Sequence, residues 1–464
     1  MKGYIPFAIA AAVLSLCGGF TAAVPASIAE SWGMGNSNAT TWITLAFAFG
    51  SAGMAPIMGK LGDVLGRRTA ILIGIGIFGL GELLIGLCPV GAFIPLLLFR
   101  FILGSGASMI APVVISYILT EFPQDKIGKG FSIYMFIASA MVIFGPTLGG
   151  IVIKMSGWRL VMYICVALCV IAFLLCMVMV KKGASDKKCL AGFDVAGSVL
   201  VLIFFSLFLC IPSFGQSSGW LSKETLICIG AAVVALILMV MREKRAAMPI
   251  LNGKFMARKE FILPVIALFL TQGLMQSCMT NIIVFVQYTQ ADPTLSGIAT
   301  SVMYVGMAIG SIAIGPLADK KEPRVVAAGA LVLVAAGAAV QLVFNGTTSL
   351  AVFSAALFLI GLGLGGNATI FMKVALSGLD AASAGAGSGT YNMFRDMSAP
   401  FGVALFVPMF TAGMQQRIAS GMEVVPAAVS AIHKTAWIQV ICVIVGIVVC
   451  FMLPKIYKKE ESRA

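Results

Sequence analysis

Apolar runs of about 20 residues, separated by short polar segments, recur along the whole chain. A helix rises about 1.5 Å per residue, so such a run crosses about 30 Å of hydrocarbon. The pattern predicts fourteen spans, at 5–29, 40–58, 69–88, 92–117, 130–153, 160–180, 195–213, 225–241, 262–288, 296–318, 325–344, 349–372, 386–412 and 435–454. Membrane strands are shorter and alternate in polarity, so the runs read as helices of an all-α polytopic membrane protein. The first run is too long for the apolar core of a cleaved leader and reads as a retained helix.

Composition agrees with this pattern. Of 464 residues, 60% are hydrophobic and 11% charged, and the mean hydropathy is +1.04. Soluble chains carry about 25% charged residues. The net charge of +13 is a matter of topology. An even number of spans puts both termini on one side. With that side cytoplasmic, 24 of the 31 Lys and Arg fall inside and 5 outside, as the positive-inside rule requires. The basic segments then meet anionic lipid headgroups, and nothing else in the chain suggests a nucleic-acid partner. Eleven cysteines lie mostly within spans and form neither a disulfide framework nor a metal-binding spacing, so no metal and no cofactor is expected. The one histidine, His433, reads as part of an outer loop, without a nucleophile or metal ligands beside it, which argues against an enzyme. No phosphate-binding loop is present, so transport would draw on an ion gradient rather than ATP.

One segment occurs twice. Gly59-Lys60-Leu61-Gly62-Asp63-Val64-Leu65-Gly66-Arg67-Arg68 follows span 2, and Gly315-Pro316-Leu317-Ala318-Asp319-Lys320-Lys321-Glu322-Pro323-Arg324 closes span 10. The copies stand eight spans apart. Six spans, two inserted spans and six more give that separation: an N-terminal bundle at 1–185, an insertion at 186–250 and a C-terminal bundle at 251–464. Parallel repeats of this kind build one large class of transporters, with the substrate between the halves. Asp63, at a helix end, is placed to pair with a nearby arginine or with a partner helix N-terminus in one conformation and to release it in another. This makes Gly59, Asp63, Gly66, Arg67, Arg68, Asp319 and Arg324 a candidate gating set. A short inside loop would be basic and glycine-containing in any case.

Charges within spans are costly and must face protein or water. Arg100 lies roughly 12 Å from the outer end of span 4. Glu82 lies in span 3, and Arg395 and Asp396 lie near the middle of span 13. Each is a candidate for proton coupling or for a structural ion pair. Arg395 and Asp396 point about 100° apart on a helix, so they need not pair with each other, which leaves Asp396 a candidate proton carrier and Arg395 a partner elsewhere or an anion contact. Gly145, Pro146, Gly149 and Gly150 predict a kink and a close helix approach in span 5. Gln272, Gln276 and Thr280 recur every four residues on span 9, with Gln287 near the same face. They either join helices or line a wet path, which Asn367 and Asn392 could extend.

The segment Gly59–Arg68 resembles the loop signature of the major facilitator superfamily, and its weaker second copy is also typical of that family. The fourteen-span count is similar to that of its drug:proton antiporters. Arg100-Phe101-Ile102-Leu103-Gly104-Ser105-Gly106 resembles a further family motif, with Leu103 where glutamine is usual. Gly145-Pro146-Thr147-Leu148-Gly149-Gly150 resembles the antiporter motif, with Ser132 and Met141 at its upstream glycine positions. Phe193–Gly197 and Gly385–Gly402 resemble segments of fourteen-span relatives. The resemblance implies two pseudo-symmetric six-helix bundles and a proton-coupled exporter of amphipathic drugs, in a bacterial cytoplasmic membrane, with Arg100 engaged in proton transfer. Exporters of this kind often carry an acid in span 1 ahead of an Ala-x-Pro. Ala23-Val24-Pro25 is present, but Leu14–Gly19 holds no acid. That departure, with Arg100 and Arg395, motivates the alternative of organic-anion import, for example of a bile acid.

Overall fold

A computed structural model describes residues 4–21, 24–33, 37–123, 126–180, 194–246, 251, 253–290, 293–377, 379 and 384–454. Every regular element in them is helical. Twelve of the described helices are long and apolar enough to cross a membrane.

The chain condenses into two compact units. The first comprises residues 1–121, 140–256 and 378–397. It holds α1 (Ile5–Phe20), α2 (Val24–Ser31), α3 (Ser37–Leu65), α4 (Arg67–Gly86), α5 (Phe93–Glu121), most of α6 (Ile127–Ser156), α7 (Trp158–Met179), α8 (Val195–Ser217), α9 (Lys223–Arg245) and α10 (Gly253–Met256). The second comprises 122–139, 257–377 and 398–464. It holds the start of α6, then α11 (Lys259–Gln290), α12 (Pro293–Ala313), α13 (Leu317–Lys320), α14 (Pro323–Val340), α15 (Leu350–Ala375) and α17 (Val424–Met452). Helix α16 (Ala384–Ala419) begins in the first unit and ends in the second.

Lipid offers little hydrophobic drive for one helix to leave it for another, so close packing must hold the bundles together. Glycines permit it. A Cβ on Gly104 of α5 would strike the carbonyl of Phe47 in α3, and one on Gly50 of α3 would strike that of Phe101. Gly106 sits against the backbone of Phe78, and Gly81 against that of Leu103, where α4 crosses α5. In the second unit Gly361 and Gly365 of α15 press on Met303 and Met307 of α12.

The structure corrects three expectations. The first span is not one helix. Helix α1 ends at Phe20 and α2 starts at Val24, because Pro25 has no N–H to continue the ladder. The tenth span also breaks, between Ala313 and Leu317, where Gly315-Pro316 interrupts it. The first gating loop shrinks to one residue. Helix α3 runs through Leu65, Gly66 turns at φ 79°, and α4 starts at Arg67. Only glycine adopts that φ cheaply. Glu322, its counterpart, has φ −61° in a two-residue turn and needs no glycine.

Helices α8 and α9 form a hairpin closed by charge. Asp194 caps α8 by accepting from the Gly197 N–H at 3.0 Å. Arg242, at the end of α9, donates Nε and Nη2 to the same carboxylate at 3.0 and 2.8 Å. The guanidinium holds the Asp194 carboxyl below the usual carboxylate range, more than burial raises it. Helix α8 packs on α3, with Leu202 against Gly53.

Candidate functional site

The two copies of the repeated segment each end on a helix N-terminus. Asp63, in the last turn of α3, accepts from the N–H groups of Gly385 and Ala386 at 2.8 Å each. These are the first orphan donors of α16, where the helix dipole favours an anion. Packing brings the chains close enough: a Cβ on Gly59 would run into the carbonyl of Gly385, and Ser388 Oγ donates to the Pro112 carbonyl at 3.2 Å. In the second unit Asp319 accepts from the N–H of Gly128 at 3.1 Å and of Lys129 at 2.9 Å, at the start of α6. Lys373 of α15 completes this cluster by pairing with Asp319 and donating to the Ala318 carbonyl.

The arginines of the segment do not pair with these aspartates. Arg67 pairs with Glu121 at 2.7 Å and lies over the Tyr117 ring. Arg68 donates to the Met177 carbonyl at 2.7 Å. Arg324 pairs with Glu322 at 2.8 Å. Lys373 and Glu121 are ion-pair partners of the repeated segments that sequence reasoning missed. Lys373 is the one basic residue between spans 12 and 13 and has only apolar neighbours in sequence, a signal that was legible but weak.

Glu82 and Arg100 form a second site, inside the first unit. Glu82 is 0% and Arg100 4% exposed. They lie within electrostatic reach of each other. Yet both Glu82 oxygens and the Arg100 Nε and Nη2 lack a hydrogen-bond partner. The helix crossing at Gly81 and Leu103 sets their depth. Behind Glu82 sit thiols. Cys165 of α7 is within its electrostatic reach and lies close to Cys17 of α1. Thus Glu82, from α4, introduces a carboxylate beside the helix that lacks one.

Arg395 and Asp396 pair with each other. Nε and Nη2 of Arg395 reach Asp396 Oδ1 at 3.1 and 3.0 Å. The long Arg395 side chain bends back across the 100° that separates the two Cα–Cβ bonds. Next to them Asn392 and Tyr391 are buried, with their polar atoms unpartnered.

The other candidates divide. Gly145 and Gly149 of α6 press on the backbone of Gly19 and Phe20 in α1, whereas a Cβ on Gly150 would meet nothing. The Pro146 side chain lies outside the described residues. Gln272, Gln276 and Thr280 on α11 are all half-buried, and Thr280 Oγ1 donates to the Gln276 carbonyl at 2.8 Å. The Gln287 side chain lies outside the described residues. Asn367 on α15 is buried with its amide unpartnered. His433 is not in a loop: α17 starts at Val424, and the imidazole Nε2 lies 2.8 Å from the Phe344 carbonyl. Among the described residues no cluster of His, Cys, Asp and Glu is placed to hold a metal ion.

Residues 7–403 match the family model of the Major Facilitator Superfamily. The chain is similar to the multidrug resistance protein Stp of Mycobacterium tuberculosis, at 24% identity over 82% of this chain and 71% of that one. It is 26% identical to the multidrug transporter protein MdtP of Bacillus subtilis, over 82% and 70%. It is 26% identical to the puromycin resistance protein pur8 of Streptomyces alboniger, over 82% and 75%. The fold is similar to that of the human organic anion transporter MFSD10, with a TM-score of 0.70 at 13% identity over 97% and 99% of the two chains. It is also similar to that of the E. coli fucose:proton symporter FucP, with a TM-score of 0.62 at 15% identity over 98% and 100%.

Proposed function

This chain belongs to the Major Facilitator Superfamily, and from that premise we propose that it exports amphipathic toxic compounds against their gradient by exchange with protons. The observation that carries the coupling is the Glu82–Arg100 pair, buried and without hydrogen bonds. No direct ion-pair contact joins them among the described residues, so a charge in that position is supported only by the other's field. When the helices carrying them shift, the carboxylate takes up a proton and the guanidinium is released; when they return, the proton leaves. A pair satisfied by further hydrogen bonds would resist that change. The names of the relatives support the substrate class: multidrug and puromycin resistance.

Alternating access needs contacts that form in one conformation and break in another. Asp63 and Asp319 meet that need, since each holds the N-terminus of a helix distant in sequence. We place both termini in the cytoplasm of a bacterium, on the charge asymmetry, and read the fourteen predicted spans as six, two and six, with boundaries near 185 and 250. Gln272, Gln276, Thr280, Asn367 and Asn392 are the candidate polar contacts to the substrate. Protons and lipid are the other partners. Uptake of an organic anion has less support, because Arg100 lies within electrostatic reach of Glu82 and Arg395 is paired with Asp396. Neither guanidinium lacks a counter-charge.

Reconstituted protein in vesicles carrying a pH gradient tests this reading. Efflux of lipophilic dyes should follow the gradient and stop when it is collapsed. Gradient-independent dye movement together with net uptake of labelled organic acids would overturn it.

A further inference from the structure

Helices α4 and α7 pack against each other but leave a groove of about 240 Å³ between them. At about 30 Å³ per water-sized group, it holds about eight such groups. Its cause is local. Gly76 and Gly79 of α4 face α7, and a Cβ on Gly76 would meet only the edge of the Phe173 ring, at 3.9 Å. The lining is almost entirely apolar. Its rims, Leu80, Val170 and Leu174, are 49%, 51% and 50% exposed. In a helix bundle within a bilayer, a rim so exposed faces lipid, and a dry apolar dent is filled by a flexible apolar chain.

Charge at one end selects the headgroup. Trp158 and Arg159 open α7, seven residues before the first lining residue, Val166, or roughly 10 Å. Leu174 lies roughly 22 Å from Arg159 on the same scale. An acyl chain anchored at Arg159 therefore reaches the groove with its distal part. The Arg159 guanidinium lies 4.4 Å from the Trp158 ring centroid and donates Nη2 to the Cys88 carbonyl at 3.0 Å. This fixes it at the mouth of the α4–α7 seam. Its other donors have no partner among the described residues. Lys154, in the last turn of α6, adds a second positive charge across the Gly157 turn. By the charge asymmetry this end has few basic residues, so two within six positions make a local anion-attracting patch.

We propose that the α4–α7 groove is a phospholipid site: an anionic phospholipid of the leaflet at the Arg159 end sets its phosphate on Arg159 and the distal part of one acyl chain in the groove. The floor of the groove includes Cys169, whose thiol contacts Cys17, the neighbour of Cys165 beside Glu82. The lipid thus steadies α4 against α7 directly behind the buried carboxylate.

Photo-labelling of the full-length protein in lipid nanodiscs tests this. The probes are phosphatidylglycerol with a diazirine on the distal part of one chain, and phosphatidylcholine with the same label. Phosphatidylglycerol should label Leu80, Val170 and Leu174 in preference to Ile227, Val234 and Ile237, which α9 exposes widely. Gly76→Leu fills the groove and should cut this labelling about tenfold, as the exclusion of two methylenes implies. Gly76→Ala, which leaves most of the space, controls for folding. Arg159→Gln should cut phosphatidylglycerol labelling about fivefold, leave phosphatidylcholine unchanged and be rescued by Arg159→Lys. Labelling spread evenly over the lipid-facing residues of α4, α7 and α9 overturns the proposal. So does equal labelling of the groove by both lipids.

Discussion

Asp63 and Asp319 perform the same operation in different units: each carboxylate accepts two hydrogen bonds from successive N–H groups in the first turn of a helix. Gly385 and Ala386 donate to one, Gly128 and Lys129 to the other. The sequence similarity of the two segments is therefore matched by similar bonding, although their turns differ. In both, the first donor is a glycine whose Cβ would fall on the carboxylate.

That glycine makes a sharp test. Gly385→Ala should displace Asp63, and Gly128→Ala should displace Asp319, so each should behave like the corresponding Asp→Ala. A charge-assisted bond contributes about 1.5–3 kcal/mol to the conformation that contains it. Transport should fall, and cysteines introduced near 63 or 319 should label faster with a soluble thiol reagent. Wild-type transport and labelling in both glycine variants would show that these carboxylates are not held as the structure has them.

Glu82 and Arg100 call for a double-mutant cycle. Removing one partner leaves the other charge buried and alone, which costs about 3–5 kcal/mol. Arg100→Gln should therefore melt well below wild type. Glu82→Gln with Arg100→Gln should recover most of that loss and still fail in gradient-driven transport. Glu82→Gln alone should retain substrate binding, measured by thermal stabilisation, while losing pH-dependent flux. Full pH-dependent flux in Glu82→Gln would move the coupling elsewhere.

Why some of this was legible and some not follows from the range of each signal. The helices were readable because about 30 Å of hydrocarbon imposes its length on any apolar run. Asp63 and Asp319 stood out in the sequence as a candidate pair because two copies share their spacing. Their partners were not, since a backbone N–H carries no side-chain signature. Glu82 and Arg100 were each visible as a charge in an apolar run, but their proximity depends on the crossing at Gly81 and Leu103. Whether Arg395 and Asp396 pair was left open by the sequence, because helical geometry alone says nothing of the reach of an arginine side chain. The breaks at Pro25 and Pro316 were present in the sequence and were overridden by hydropathy.

Asp194 gives a pH prediction. Its carboxyl lies below the usual range in the folded state, chiefly through Arg242. Such a group contributes stability that is present above its unfolded value, about 3.9, and is lost as the pH falls through the folded one. The difference in melting temperature between wild type and Asp194→Asn should thus be constant from neutral pH to about 5 and shrink below about 4. A gap that widens in acid would contradict the α8–α9 clasp.

Gly149 and Gly150 are neighbours in α6 with opposite surroundings, and they separate packing from motif. A Cβ on Gly149 would strike the Phe20 carbonyl in α1, while one on Gly150 would meet nothing. Gly149→Ala forces the two helices apart at a cost of about 1–3 kcal/mol. Gly150→Ala adds no clash and removes unfolded-chain freedom, a gain of about 0.4–1 kcal/mol. The first variant should melt lower than wild type and the second slightly higher, in the same detergent. Transport discriminates further. If the pair acts through the close approach of α6 to α1, Gly150→Ala transports normally and Gly149→Ala does not. If both variants melt as wild type and both lose transport, the segment acts by its own flexibility, and the contact with Phe20 is incidental.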